Sequence, residues 1–302
     1  MSWTGATITR VAVLVGLVIA GGLIFVISNY SKPVVVTPPP KEEPVVTPPP
    51  TIPDSSVRTV GQSVEGRPIE LHTYGTGTTS ILFVGGIHGG YEWNSVLLAY
   101  ALIDHLEAEK ANIPSTLSIH VIPNLNPDGV YTIIGKEGRF TATDVPVGTD
   151  TAPGRFNAHG VDLNRNFDCK WQPESSWRGK VVNAGTAPFS EPEAQALKSV
   201  VSELNPQGVV FWHSKANAVY ASECEDGILP GTRTLMNTYA GGAGYTTVDV
   251  FDAYPVTGDA EGWLASIGIP AITVELATHE SIEWERNLEG VNALIALYAN
   301  AQ

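Results

Sequence analysis

The 302 residues carry 17 lysines and arginines against 31 aspartates and glutamates, a formal charge of −14. That balance argues against nucleic acid or an anionic surface as the main partner of the folded part. Two cysteines, Cys169 and Cys224, are too few for a disulfide scaffold. Outside the cytoplasm they can form one bridge; the alternative is two unrelated buried thiols.

Val11 to Ser28 is uncharged and almost wholly apolar, just long enough to cross a bilayer as a helix. No small-x-small cleavage site follows it directly, so it is read as an uncleaved anchor rather than a signal peptide. Pro33 to Pro53 contains Thr-Pro-Pro-Pro twice. Such a segment cannot bury a core and favours extended polyproline II, the behaviour of a stalk. The expected organisation is a tail and membrane anchor (1–32), a proline-rich linker (33–53) and one folded domain (54–302) held outside the cytoplasm. About 250 residues are ample for a single core.

Within the domain, Ser63 to Tyr74 suggests two short strands around a Gly66–Pro68 turn. Ile81 to Val84 is an apolar run that reads as a buried strand, ended by Gly85 and Gly86. A helix is expected over Trp93 to Ala108 and a strand over Leu117 to Ile122. Asn126-Pro127-Asp128-Gly129 is a turn signal, and 130–160 and 169–188 read as loops. Ser190-Glu191-Pro192-Glu193 has the form of a capping box opening a helix to about Leu204. Val209 to Trp212 predicts a strand, Thr232 to Ala240 a helix, Ala271 to Leu276 a strand and Ser281 to Ala301 a closing helix. Alternating strands and helices predict an α/β domain with a mixed, largely parallel sheet flanked by helices.

Three of these strands run into a chemically active side chain: His88, His213 and Glu275. The carboxyl ends of strands are where open α/β sheets keep their sites. His88 and Glu92 share one turn, and His213 comes from a distant strand. An imidazole, a carboxylate and a second imidazole are a donor set for catalytic zinc, which keeps its fourth position for water. The alternative for the first pair is a buried histidine and a helix-capping glutamate. Glu275 ends an apolar strand, where a charge is costly unless paired or used; there it suits a general base. Arg155 and Arg165 lie close together in Gly154–Asp168, and a guanidinium suits a carboxylate or a developing oxyanion. Asp162 is placed to accept from the distal nitrogen of a ligand histidine.

Five ordered blocks, GGIHGGYEWN, NPDG, RFNAHGVDLNRNFD, FWHS and Tyr254 onward through ITVEL, resemble the zinc carboxypeptidase family over roughly residues 57 to 300. The resemblance implies one zinc held by His88, Glu92 and His213, with Asp162 behind the first histidine. It implies Glu275 as the base, Arg155 as the oxyanion stabiliser, and Asn164 and Arg165 as the grip on a substrate's terminal carboxylate. Tyr254 matches a tyrosine that closes over the bound C-terminus, and Ser214 follows the third ligand as a serine does in many relatives. Glu261 falls near the position that lines the terminal side-chain pocket, where a carboxylate favours a cationic group; the alternative is a surface glutamate. Two features depart from the family. The first ligand pair is spaced His-x-x-x-Glu, one residue longer than usual, and Gly89, Gly90 and Tyr91 replace an arginine common there.

The implied activity is a metallocarboxypeptidase that removes a C-terminal residue from a peptide with a free carboxylate, with compact bacterial relatives pointing to cell-wall stem peptides. The competing readings are a scavenging carboxypeptidase, a zinc deacylase of N-acyl amino acids and a non-catalytic surface module. His72, His105, His120, His159 and His279 are taken as structural or surface, and Trp171, Trp177 and Trp212 as packing.

Overall fold

The computed structural model describes residues 55–300. The anchor and stalk segments lie outside these residues, and no helix among them is long and apolar enough to cross a membrane. The strands are β1 (Ser55–Gln62), β2 (Pro68–Tyr74), β3 (Thr79–Val84), β4 (Leu117–Ile122), β5 (Glu174–Trp177), β6 (Lys180–Asn183), β7 (Gly208–Ser214), β8 (Ala218–Ala221), β9 (Thr246–Val248) and β10 (Ala271–Leu276). The α-helices are α1 (Trp93–Ala108), α2 (Pro127–Ile134), α3 (Pro192–Leu204), α4 (Pro230–Ala243), α5 (Ala260–Ser266) and α6 (Trp284–Ala299).

Eight strands form one sheet in the order β1-β2-β4-β3-β7-β10-β8-β9. The centre, β4-β3-β7-β10, is parallel. The β1–β2, β2–β4 and β10–β8 pairs are antiparallel, so the sheet is mixed and largely parallel, as expected. Each face buries its own apolar cluster. Ile81, Phe83, Val210, Trp212, Ile272 and Val274 face α1, α4 and α6. Leu82, Val84, Val209, Phe211 and Ala271 face α3 and α5. A strand covered on both sides must be apolar at successive positions, which is why β3, β7 and β10 read as continuous hydrophobic runs.

The chain leaves β3 towards β4 on one side, and β7 returns on the other side of β3. This reversal opens a crevice at the carboxyl ends of β3 and β7. His88 follows the first and His213 lies within the end of the second.

Five expectations need correction. The first of the two strands expected within Ser63–Tyr74 lies earlier, as β1, and the Ser63–Arg67 turn joins it to β2. Asn126-Pro127-Asp128-Gly129 opens α2 rather than a plain turn: Asn126 Oδ1 accepts from the Gly129 amide at 2.9 Å and Pro127 takes the first helical turn. The same residues that make turns make helix starts. The capping box at Ser190 does not form. Glu193 instead turns inward, accepting from the Val64 amide and Asn157 Nδ2, both at 3.1 Å, because a buried partner outcompetes a local cap. The 169–188 segment contains the hairpin β5–β6, turned at Arg178 and Gly179, both with positive φ; an arginine there gave no turn signal. Helix α5, not anticipated, is capped by Asp259, whose Oδ2 accepts from the Gly262 amide at 2.7 Å.

Cys169 and Cys224 form a disulfide across 55 residues of sequence. Closing a loop of that length restricts the unfolded chain by about 4 kcal/mol. Replacing both cysteines by serine is expected to lower unfolding free energy by about 2–4 kcal/mol, measured by urea denaturation of the oxidised protein against the variant. No change in the midpoint would mean that the bridge does not constrain the unfolded chain.

Candidate metal centre and cleft

The turn after β3 solves the long His-x-x-x-Glu spacing with one turn of 3-10 helix, Gly89–Glu92. Gly89 sits at φ +47°, and a Cβ there would lie 2.6 Å from the Gly154 carbonyl oxygen. Only glycine allows both the conformation and the contact. The turn brings Glu92 Oε1 to 2.9 Å from His88 Nδ1. From β7, His213 Nδ1 comes within 3.1 Å of both His88 Nδ1 and Glu92 Oε2. All three side chains are buried, and their donor atoms lie close enough together to hold one metal ion. Tetrahedral zinc with nitrogen and oxygen ligands near 2.0–2.1 Å places its ligand atoms about 3.3 Å apart, so the observed spacing needs little adjustment.

Charge in this cluster is unevenly held. Burial and the Arg155 guanidinium push His88 down to about 4. His213 is pushed up to about 10: burial opposes its charge, but Glu92 and Glu261 together outweigh that cost. Without metal, a proton on His213 therefore does part of a cation's work. The Glu92 carboxyl, despite its burial, is held far below its usual range by the two histidines. His213 would give up this proton to hold a zinc ion, so metal binding there would release protons.

Glu275, paired in register with His213 across β10 and β7, has its carboxyl pushed up to about 7 by burial and by the nearby Glu92 charge. Its Oε2 is buried without a hydrogen-bond partner. Asp162 lies behind His88, its Oδ1 3.9 Å from Nε2, but its tighter bond is to Arg155 Nε at 2.7 Å. Arg155 reaches from there to 3.2 Å of His88 Nδ1 and stacks 4.6 Å from the Trp177 ring.

The cluster opens into a cleft of about 980 Å³ that also contains Asn164, Arg165, Tyr254 and Glu261, within the size range of small-ligand sites. Asn164 Oδ1 accepts from the Ala260 amide at 2.8 Å and so fixes the start of α5. The Arg165 guanidinium donates to the Ser176 carbonyl at 3.1 Å. Tyr254 lies on the irregular stretch before α5 with its ring 4.8 Å from Phe251. Ser214 is in the cleft, but its Oγ is committed to Asn94 Oδ1 at 3.0 Å and His279 Nδ1 at 2.8 Å. Glu261 is not a surface glutamate: it is 3% exposed and 3.1 Å from His213 Nε2.

Sequence reasoning missed part of the cleft wall. Tyr91 packs against Trp177 at 5.0 Å and His279 at 4.8 Å, so Trp177 and His279 border the site rather than serving only as packing. The position of His279 four residues after Glu275 was the available signal. Trp177 had none, because its place depends on the unforeseen β5–β6 hairpin.

Residues 51–287 match the family model described as zinc carboxypeptidase. Gamma-D-glutamyl-L-diamino acid endopeptidase 1 of Lysinibacillus sphaericus is 24% identical over 240 residues, 72% of this chain and 60% of that protein; the chain thus spans less than two thirds of that relative. Murein peptide amidase A of Escherichia coli (strain K12) is 26% identical over 237 residues, 74% of this chain and 82% of that one. The crystal structure of carboxypeptidase A from Helicoverpa armigera aligns with a TM-score of 0.64 at 19% identity, covering 82% of this chain and 69% of that one, a likeness of fold.

The raised Glu275 has a consequence for metal-free protein. The folded chain keeps this proton up to about pH 7, whereas an unfolded glutamate releases it near 4.5. Between those values the folded state binds more protons, so stability falls as pH rises. Metal-free parent protein is expected to lose on the order of 2 kcal/mol more between pH 5 and pH 8 than Glu275→Gln, measured by urea unfolding at each pH. Parallel curves for the two proteins would show that Glu275 titrates normally.

Proposed function

The chain belongs to the zinc carboxypeptidase family and is a zinc-dependent peptide hydrolase; we propose that it removes the C-terminal residue of cell-wall stem peptides, with Glu275 as the base. The observation that carries the catalytic reading is the buried His88–Glu92–His213 cluster beside a partnerless Glu275 oxygen. Zinc bound there polarises the scissile carbonyl and lowers the pKa of water towards ~7. Glu275 accepts the proton from the attacking water and returns it to the departing amine. Arg155, anchored by Asp162, stabilises the charge that develops on the carbonyl oxygen. Asn164 and Arg165 hold the terminal carboxylate, a bidentate partner for the guanidinium, and Tyr254 covers it from the stretch before α5.

Support for a cell-wall substrate comes from the two bacterial relatives, whose names specify murein peptides and a γ-D-glutamyl bond to a diamino acid. The acidic Asp259 in the cleft suits the free amine of a terminal diamino acid. The apolar run and proline stalk before the domain favour a tether that keeps the enzyme at the cell surface, outside the cytoplasm.

Incubated with a stem tripeptide ending in a diamino acid, the purified protein is expected to release that residue, detected by mass spectrometry. Glu275→Gln should slow release by about 10²–10⁴-fold, and Arg155→Ala should lower kcat by about 10²–10³-fold. Cleavage confined to ordinary α-linked peptides would move the substrate to scavenged peptides while leaving the mechanism intact. A chelator is expected to abolish all cleavage, and added zinc to restore it; activity that survives complete metal removal would overturn the zinc mechanism.

A further inference from the structure

His213 lies on the β7 face shared with Val209 and Phe211, the face that α3 and α5 cover. Its two ring nitrogens meet different carboxylates. Nδ1 is 3.1 Å from Glu92 Oε2, on the side of the metal cluster. Nε2 is 3.1 Å from Oε1 of Glu261, which α5 lowers onto the sheet. Thr273, on the neighbouring strand β10, donates its hydroxyl to the same Glu261 oxygen at 2.9 Å. Both His213 and Glu261 are almost completely buried. The resemblance to the family assigns this position to the side-chain pocket and gives it no part at the metal.

We propose that Glu261 is a positioning residue of the zinc centre: it fixes the ring and tautomer of His213 so that Nδ1 presents its lone pair to the metal. A carboxylate on the far nitrogen of a ligand imidazole holds the N–H there, leaves the near nitrogen free to bind, and raises its basicity. The two histidines are then backed unequally. Asp162, behind His88, is neutralised by Arg155 at 2.7 Å, and its Oδ1 stands 3.9 Å from the ring. Glu261 forms no ion pair with a lysine or arginine among the described residues and is already at hydrogen-bond distance. Its full negative charge therefore acts on His213, and His213 is the better-supported ligand. Thr273 holds the carboxylate in place, which ties the metal site to β10 and so to Glu275 two residues on.

The test is zinc affinity, measured by competition with a chromogenic chelator and with no substrate present, so the result does not depend on which peptide the enzyme cleaves. Glu261→Ala is expected to raise the zinc Kd by about 10–100-fold. Glu261→Gln, whose amide oxygen can still accept from Nε2, should raise it less, and Thr273→Val should raise it by a smaller factor still. The metal-free far-ultraviolet circular dichroism spectrum separates positioning from a packing role: a positioning residue raises Kd in Glu261→Gln while that spectrum stays the parent's. Should the alanine variant not fold, the Gln and Val variants decide. Residual peptidase activity at saturating zinc adds a second readout. Equal loss on neutral and amine-bearing terminal residues agrees with a role through the metal. An unchanged zinc Kd in folded Glu261→Gln and Thr273→Val would overturn the proposal, and a loss confined to amine-bearing residues would then place Glu261 in the specificity pocket alone.

Discussion

The burial of like charge at the carboxyl ends of β3, β7 and β10 is the constraint to which the rest of the site answers. Glu92, Asp162, Glu261 and Glu275 converge on two histidines and one guanidinium, most of them out of contact with water. Removing a carboxylate from water costs several kcal/mol unless a partner restores it. Asp162 has Arg155. Glu92 and Glu261 share His213, which they hold protonated. Glu275 makes no ion pair with a lysine or arginine among the described residues and keeps its proton instead, up to about pH 7. A divalent cation at the His88–Glu92–His213 cluster adds the positive charge that this arrangement lacks. Metal bound there would stabilise the folded chain by mass action.

Holding such a cluster requires a backbone that does not yield, and the glycines show how that is achieved. A Cβ on Gly129 would come within 2.3 Å of the Gly154 carbonyl oxygen, and one on Gly90 within 2.6 Å of the Gly129 carbonyl oxygen. Three segments far apart in sequence thus touch backbone to backbone: the turn carrying His88 and Glu92, the first turn of α2, and the turn that delivers Arg155. The glycine of the NPDG block sets the distance between the His88–Glu92 turn and the turn that delivers Arg155. A side chain there would push those two turns apart.

Much of this was legible from the chain, for definite reasons. Strands β3, β7 and β10 are buried on both faces, so their apolar runs are long enough to read, and each ends in a polar side chain that stands out against it. His88, His213 and Glu275 were visible for that reason, and the Asn126-Pro127 pair marked its segment even though its helix was taken for a turn. What stayed hidden depends on long-range partners. Glu193 looked like part of a cap because its true partners, Val64 and Asn157, are distant in sequence. Glu261 could be placed by counting from Tyr254, but its bond to His213 arises from a seven-residue helix that only the tertiary packing of Trp263 and Leu264 makes stable. The β5–β6 hairpin escaped because its turn uses Arg178 where asparagine or glycine would have announced it.

The two sides of the cleft are consequently built on different principles. The metal side stands on central strands, where neighbouring strands and helices fix every side chain, as a site that must hold an ion to fractions of an ångström requires. The substrate side is assembled from connections: the β5–β6 hairpin, the stretch carrying Tyr254, and the segment after β10 with His279. Connections are inherently less constrained, and here they are tied down one by one. The Cys169–Cys224 bridge joins the segment before β5 to the loop after β8, and a Cβ on Gly262 of α5 would lie 3.0 Å from Cys169 Sγ. The Arg165 guanidinium clasps the carbonyl of Ser176 in the hairpin, and Ser214 links the end of β7 through Asn94 to the loop after β10. Tyr254, on the irregular stretch between β9 and α5, packs its ring on Phe251, a contact that suits the one side chain expected to close over a bound carboxylate. Ordering the other connections in advance leaves that closure as the step in which substrate binding has to work against chain entropy.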